Sequence, residues 1–269
     1  MKNLFLIITA FLFCSLSSIA LSETMEDLVK RDGLYYKKFT DTPFTGKIEG
    51  KEQGAIKKGK KHGKWNSYYD SGQLANKSHY KNGKLEGKFV SYHKNGQLWA
   101  KGQHKNSTMD GEWFFYHDNG QLDSKGQYKI DKKEGQWITY YDNGQLRSKG
   151  QYKNGKLEGE WFYYHDNGQL ANKGHFKNGK RDGESSFYIN GQLWYKGQYK
   201  NGKKEGEWSQ YLHLNGQINS KIQYKNDKAE GEGITYYDNG QLRSKGQYKN
   251  GKKEGEWFEY HSNGQLKNK

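Results

Sequence analysis

Tyr140 to Trp161 reads YYDNGQLRSKGQYKNGKLEGEW, and ninety-six residues downstream Tyr236 to Trp257 reads YYDNGQLRSKGQYKNGKKEGEW. The two stretches differ at one position, Leu157 against Lys253. A catalytic site is needed once, so a sentence written twice is a building unit. Its markers recur in register. Gly-Gln-Leu stands at Gly72, Gly96, Gly120, Gly144, Gly168, Gly191, Gly240 and Gly264, with Gly216-Gln217-Ile218 as a variant. The step is 24 residues except around Gly191, where it is 23 and then 25. Gly-x-Trp keeps the same phase at Trp65, Trp113, Trp137, Trp161, Trp208 and Trp257, while Phe89, Ser185 and Gly233 fill the other slots. A fixed period of this length marks a stacked array, in which each copy contacts chiefly its neighbours.

Each period carries two turn signals, Asp142-Asn143-Gly144 and Asn154-Gly155. Asn and Gly both tolerate positive φ, which tight hairpin turns require. The segments between the turns are of strand length. From Gln145 to Lys153, Gln145, Arg147, Lys149, Gln151 and Lys153 share one face, and Leu146, Ser148, Gly150 and Tyr152 share the other. Strict alternation is the pattern of a half-buried strand. Gly150 leaves a hole in the apolar face, which a neighbouring Trp ring can occupy. The second segment, Glu160 to His165, is ambiguous: Trp161 and Tyr164 both recur, yet they have opposite parity. Either both faces are covered or a bulge re-aims one ring.

Each period therefore reads as one β-hairpin. The expected fold is all-β: an elongated, twisted single antiparallel sheet of tandem hairpins, about 24 residues each. About eighteen strands at about 4.8 Å would span roughly 85 Å. The expected aromatic seam comprises Trp65, Phe89, Trp113, Trp137, Trp161, Trp208 and Trp257 with Tyr128, Tyr152, Tyr199, Tyr224 and Tyr248. Lys51 to Lys57 fits the second strand of a degenerate copy, and Leu34 to Ile48 is expected to cover the first edge.

Composition agrees with a thin sheet. Of 269 residues, 35 are Gly and one is Pro; 32% are hydrophobic and half of those are aromatic. Leu, Ile and Val are too scarce for a thick core, and rings bury a large area each. The formal charge is +15, which favours anionic surfaces but does not bear on fold. The chain opens MKNLFLIITAFLFCSLSSIALSE, one Lys before an apolar run and then small residues, the grammar of an export signal. The expected organisation is a signal over 1–22, a cap with a degenerate repeat over 23–62, and hairpin repeats over 63–269. A periplasmic or secreted location follows, with a retained membrane anchor as the lesser possibility. Cys14 is the single cysteine, so removal of the signal leaves no thiol and excludes disulfides.

Asn-Gly-Gln-Leu, then Lys-Gly-x-Tyr-Lys-Asn-Gly-Lys, then Gly-x-Trp-x-x-Tyr-Tyr, resembles the MORN repeat in the variant form common in bacterial proteins. Such proteins are often labelled YwqK-family antitoxins. The resemblance covers about residues 33 to 269. It implies a sheet of hairpins, a non-enzymatic role without cofactors, and association with protein scaffolding or acidic phospholipid surfaces. For an exported chain, immunity against an exported toxin fits the antitoxin label better than a cytosolic antidote does.

The lysines form a ladder. Lys101, Lys125, Lys149, Lys173, Lys196, Lys221 and Lys245 recur once per copy, and Lys105, Lys129, Lys153, Lys177, Lys200, Lys225 and Lys249 form a second row on the same face. This is the candidate face for an anionic partner. His93, His117, His165 and His261 share one slot, but neighbouring copies are two strands, about 9.6 Å, apart, which is too far for one metal. Tyr69, Tyr141 and Tyr237 take the same slot, so an amphipathic ring suffices there. Glutamates recur before the Gly (Glu134, Glu158, Glu205, Glu230, Glu254) and after it (Glu112, Glu160, Glu184, Glu207, Glu232, Glu256), and read as surface charge pairing. No nucleophile elbow, phosphate loop or His-Glu-x-x-His is present. Two functions are expected: an exported scaffold for a protein partner, or a module for an anionic lipid surface or envelope polysaccharide. Export argues against a nucleic-acid partner.

Overall fold

The computed structural model describes residues 22–212 and 215–268. The expected export segment, apart from Ser22, and Cys14 lie outside the described residues. From Gly46–Ile48 to Lys252–Glu259 the chain forms one antiparallel sheet in which successive strands pair in order, Lys84–Leu85 with Gly87–Tyr92 and Thr108–Met109 with Gly111–Tyr116 each acting as one interrupted strand. No register joins the two end strands among the described residues, so the sheet is open. This is the expected array of tandem hairpins.

One copy explains the rest. The strand Lys132–Tyr140 pairs with Leu146–Lys153, which pairs with Lys156–Tyr164. At one end the chain reverses through Asn154 (φ 50°) and Gly155 (φ 78°), with Lys153 facing Lys156. At the other, Gly144 N donates to the Tyr141 carbonyl at 2.9 Å, and Asn143 Oδ1 accepts from Gln145 N at 2.9 Å. The Asn is thus chosen for its side chain, which holds its own turn.

The parity conflict resolves because both alternatives hold. The pairing of Leu146–Lys153 with Lys156–Tyr164 skips between Lys149 and Gln151, beside Gly159 at φ 67°. The next pairing slips between Tyr163 and Tyr164. Between these irregularities Trp161 and Tyr163 point to one face, their rings stacked at 5.9 Å. Phe162 points to the other, with Lys149 Nζ 5.2 Å from its ring centre.

The Trp face is the core. Trp137 and Trp161 are 1% and 3% exposed, although no second layer covers them among the described residues. Neighbouring copies supply the cover. Tyr128, Trp137, Tyr152 and Trp161 alternate edge-to-face at centroid distances of 5.2, 6.1 and 5.1 Å. That is the preferred geometry of aromatic pairs. Each indole lies over the glycine of the preceding strand: a Cβ on Gly54, Gly102, Gly126, Gly150, Gly197 or Gly246 would overlap the ring of Trp65, Trp113, Trp137, Trp161, Trp208 or Trp257. Trp161 Nε1 donates to the Gln151 carbonyl at 3.0 Å, and Trp65, Trp113, Trp137 and Trp208 repeat this bond. The one position that distinguishes the two opening stretches is a lid. Leu157 packs against the Trp161 cluster, while Lys253 holds its ammonium 4.0 Å from the Trp257 ring centre. Lys133 does the same over Trp137, and burial pushes its pKa down.

The irregular copies follow the same packing rule. Gly233 lacks the Trp, and the glycine opposite it has become Ile222. Ser185 lacks it too, and Arg181 fills the space. Its guanidinium donates to Ser185 Oγ and Asn172 Oδ1, both at 3.1 Å, and lies 5.1 Å from the Phe176 ring centre. Large and small residues trade places so that the space stays filled.

The expected cover over the first edge divides into two parts. Gly46–Ile48 joins the sheet itself, beside Glu52–Lys57. Leu28–Arg31 and Leu34–Lys37 form a separate hairpin, tied on by Tyr35 N to the Gly59 carbonyl at 2.8 Å. Leu28, Ile48, Ile56 and Trp65 form one buried cluster beneath it. At the other end the chain turns back as a short bridge, Tyr260 opposite Leu266.

Candidate binding face

The face opposite the Trp seam carries the lysine ladder. In the first row Lys101, Lys196 and Lys245 are exposed, and Lys125, Lys149, Lys173 and Lys221 are half-buried. Lys149 lies against a ring of the next strand, its Nζ 5.2 Å from the Phe162 ring centre. Lys101, Lys196 and Lys245 also meet rings, with Nζ 4.8 Å from Phe114, 5.9 Å from Tyr211 and 6.0 Å from Phe258. Lys221 instead pairs with Glu207 at 3.2 Å. The face therefore presents cations on aromatic bases, a chemistry that attracts both carboxylates and apolar groups.

The second row, Lys105, Lys129, Lys153, Lys177, Lys200, Lys225 and Lys249, is exposed throughout and sits at the Asn-Gly hairpin tips. The sequence reading missed its counterpart. Lys129 faces Lys132, Lys153 faces Lys156, Lys177 faces Lys180, Lys200 faces Lys203, Lys225 faces Lys228 and Lys249 faces Lys252. The signal was present, since Lys-Asn-Gly-Lys flanks a two-residue turn and such flanks pair directly. Like charges directly opposite are unfavourable in a sheet. Only Lys249 has an ion-pair partner within this row among the described residues, Glu254 at 3.2 Å.

Of the glutamates before the Gly, Glu254 makes the expected charge pair, with Lys249, and the other four do something else. Glu134 Oε2 accepts from Asn154 N at 2.8 Å, Glu158 from Asn178 N at 3.0 Å, Glu205 from Asn226 N at 3.1 Å and Glu230 from Asn250 N at 2.8 Å. They hold the next hairpin tip. The histidine slot is also a clamp between copies. His93 Nε2 meets the Tyr116 carbonyl at 2.9 Å, and Tyr141 Oη donates to the Tyr164 carbonyl at 2.8 Å. No group of His, Cys, Asp and Glu able to hold a metal exists among the described residues.

Between copies the face is hollowed. One depression of about 750 Å³ is lined by Lys64, Lys77, His79, Glu86, Lys88 and Val90. Another, of about 420 Å³, is lined by Glu160, Lys173, His175, Asp182 and Glu184. Large apolar side chains also remain exposed on this side, among them Trp99 at 47%, Trp194 at 40% and Phe258 at 36%. Trp99 and Trp194 each stand two residues before a first-row lysine, Lys101 or Lys196, on the same strand.

Comparison with known proteins agrees with the repeat. The sequence profile of the MORN repeat variant matches nine times, at residues 61–82, 85–106, 109–129, 133–154, 157–178, 181–201, 204–226, 229–250 and 253–269. A search of curated proteins found no match. Among solved structures, the chain is similar to a TcdB2-TccC3-Cdc42 crystal structure at 12% identity, over 80% of this chain and 12% of that one, with a TM-score of 0.20. A Tc holotoxin pore of Photorhabdus luminescens gives 11% identity, 80% and 14% coverage, and a TM-score of 0.21. TcdB2-TccC3 without its hypervariable C-terminal region gives 15%, 87% and 16%, and 0.19. The chain thus spans a small fraction of each of these structures, and scores of this size carry no argument. Nine matched copies and their hairpin geometry decide the matter: the chain belongs to the MORN repeat variant family.

Proposed function

We propose that this protein is an exported, non-enzymatic scaffold of immunity type, which binds a protein partner along its lysine-and-ring face. The supporting observation is the unequal use of the two faces. The Trp seam is consumed as core, whereas the other face leaves Trp99 and Trp194 exposed where the fold does not ask for them. Other copies place Asp123, Arg147 or Arg243 at that position. Exposed aromatics ringed by cations are common anchors of protein interfaces. Lysines along the same face favour an acidic partner and speed its approach.

A second reading rests on the opposed lysine pairs. Repeated at successive tips, they set a basic rim against an anionic lipid surface or an envelope polysaccharide. Salt separates the two readings. The chain from Glu23 onward is incubated with envelope extract and washed at low and then at high ionic strength. A discrete protein band that survives high salt, and is lost from the Trp99→Ala/Trp194→Ala variant, supports the scaffold. Lipid or polysaccharide alone, released by salt, would overturn it in favour of the rim.

A further inference from the structure

The two depressions occupy equivalent places four copies apart, and their charges are opposite. Lys64 corresponds to Glu160, Lys77 to Lys173, His79 to His175, Glu86 to Asp182 and Lys88 to Glu184, each ninety-six residues on. The backbone job at each site is the same. His79 Nδ1 meets the Glu86 carbonyl at 3.1 Å, and His175 Nδ1 the Asp182 carbonyl at 2.8 Å. Glu86 Oε2 accepts from Asn106 N, and Asp182 Oδ2 from Asn201 N, so both carboxylates serve the next hairpin tip. What remains facing the hollow is three lysines in one copy, and one lysine with two glutamates in the other.

The fold does not require the difference, because both versions form the same hairpins. Lys64, Lys77 and Lys88 have no ion-pair partner among the described residues, and all three are exposed around one concave opening. The volume of about 750 Å³ is in the range of small-ligand sites. Its floor includes Val90, where the equivalent residue of the second hollow is Ser186.

We infer that the hollow bounded by Lys64, Lys77 and Lys88 is a discrete binding site for a compact oligophosphate group. The chemistry chooses the ligand. Lysines act as point charges, which suit a tetrahedral anion with oxygens on several sides; a planar carboxylate is better met by the arginine fork. No arginine lines this hollow. His79 is committed through Nδ1 to the Glu86 carbonyl, so the donors that face the hollow are the three lysines. The inference takes from the anionic-surface reading only the sign of the partner. It places the anion in one hollow rather than along the rim.

The test is a calorimetric titration of the full chain with sodium tripolyphosphate at fixed ionic strength. Wild type should bind with a stoichiometry near one. Lys64→Glu/Lys88→Glu, which copies the second hollow, should weaken binding at least tenfold. Glu160→Lys/Glu184→Lys, which copies the first, should create a second equivalent site. Lys153→Gln/Lys156→Gln, at a hairpin tip, should leave the affinity in place. Each variant keeps the hairpin bonds, and its circular dichroism should match wild type. The inference is overturned if wild type shows no binding, or if the tip variant loses affinity while Lys64→Glu/Lys88→Glu retains it. Vesicles carrying a polyphosphorylated inositol lipid then distinguish the source. Vesicle binding displaced by tripolyphosphate assigns the site to a headgroup, and no vesicle binding assigns it to a soluble oligophosphate.

Discussion

The same strands build two unlike faces. On the Trp-bearing face the copies differ only in ways that keep the space filled: Gly150 with Trp161, Ile222 with Gly233, Ser185 with Arg181. On the lysine-bearing face the charge at one position changes from Lys64 and Lys88 to Glu160 and Glu184 without disturbing a strand. One face answers to packing, where a methyl group matters, and the other to solvent, where a charge reversal is tolerated. The first face makes the sheet. The second is free to choose a partner.

If that division holds, substitutions on the two faces must have different consequences. The largest effect belongs to Trp161→Ala, which empties the seam between Tyr152 and Tyr163; a loss of about 3–5 kcal/mol in denaturant unfolding is expected. Gly150→Ala drives a methyl group into the same indole and should cost about 1–3 kcal/mol. Combining Gly150→Ile with Trp161→Gly reproduces the Ile222 and Gly233 pair. The double variant should be more stable than Gly150→Ile alone, a sign of coupling that two independent sites would not show.

His104 gives a pH test within the seam. It stands where Tyr128 and Tyr152 stand in later copies, its ring edge-on to Trp113 at 5.1 Å. Burial lowers its pKa below 6.5. As pH falls from 6.5 through that lowered value, the unfolded chain takes up a proton that the folded chain resists. Stability therefore declines with acidification over that window. His104→Tyr should flatten this part of the unfolding profile and leave the neutral value little changed.

The smallest effect is expected at the tips. Lys153→Gln relieves one opposed pair and should stabilise the protein by about 0.2–1 kcal/mol, read as a rise in thermal midpoint that shrinks with added salt. A fall in midpoint would mean that the lysine pair contributes to the fold.

Much of this was legible in the sequence because the period is strict. Alternation from Gln145 to Lys153 placed Leu146, Ser148, Gly150 and Tyr152 on one face, and the structure buries that face. The hole at Gly150 was readable because glycine interrupts an otherwise apolar stripe, and an indole lies over it. The Trp-bearing strand was not legible. The recurring Tyr164 lies beyond a register slip, so its parity set against that of Trp161 hid the alternation, and Tyr163 and Phe115 were missed from the seam although they stack on Trp161 and Trp113. Glu134, Glu158, Glu205 and Glu230 were read by charge, yet their partner is a backbone N–H one copy away. No local pattern carries that contact. The two hollows escaped as well, because their contrast emerges only when equivalent positions are superimposed in space.

The central claim is that the lysine face binds and the Trp face folds. It is tested by one protein in which Trp99 and Trp194 both become Ala, with thermal unfolding and retention of a protein band from envelope extract measured on the same sample. The account predicts a thermal midpoint close to that of wild type, together with loss of the band that wild type retains. An unchanged hold on the band, or a collapse of the midpoint, would contradict it.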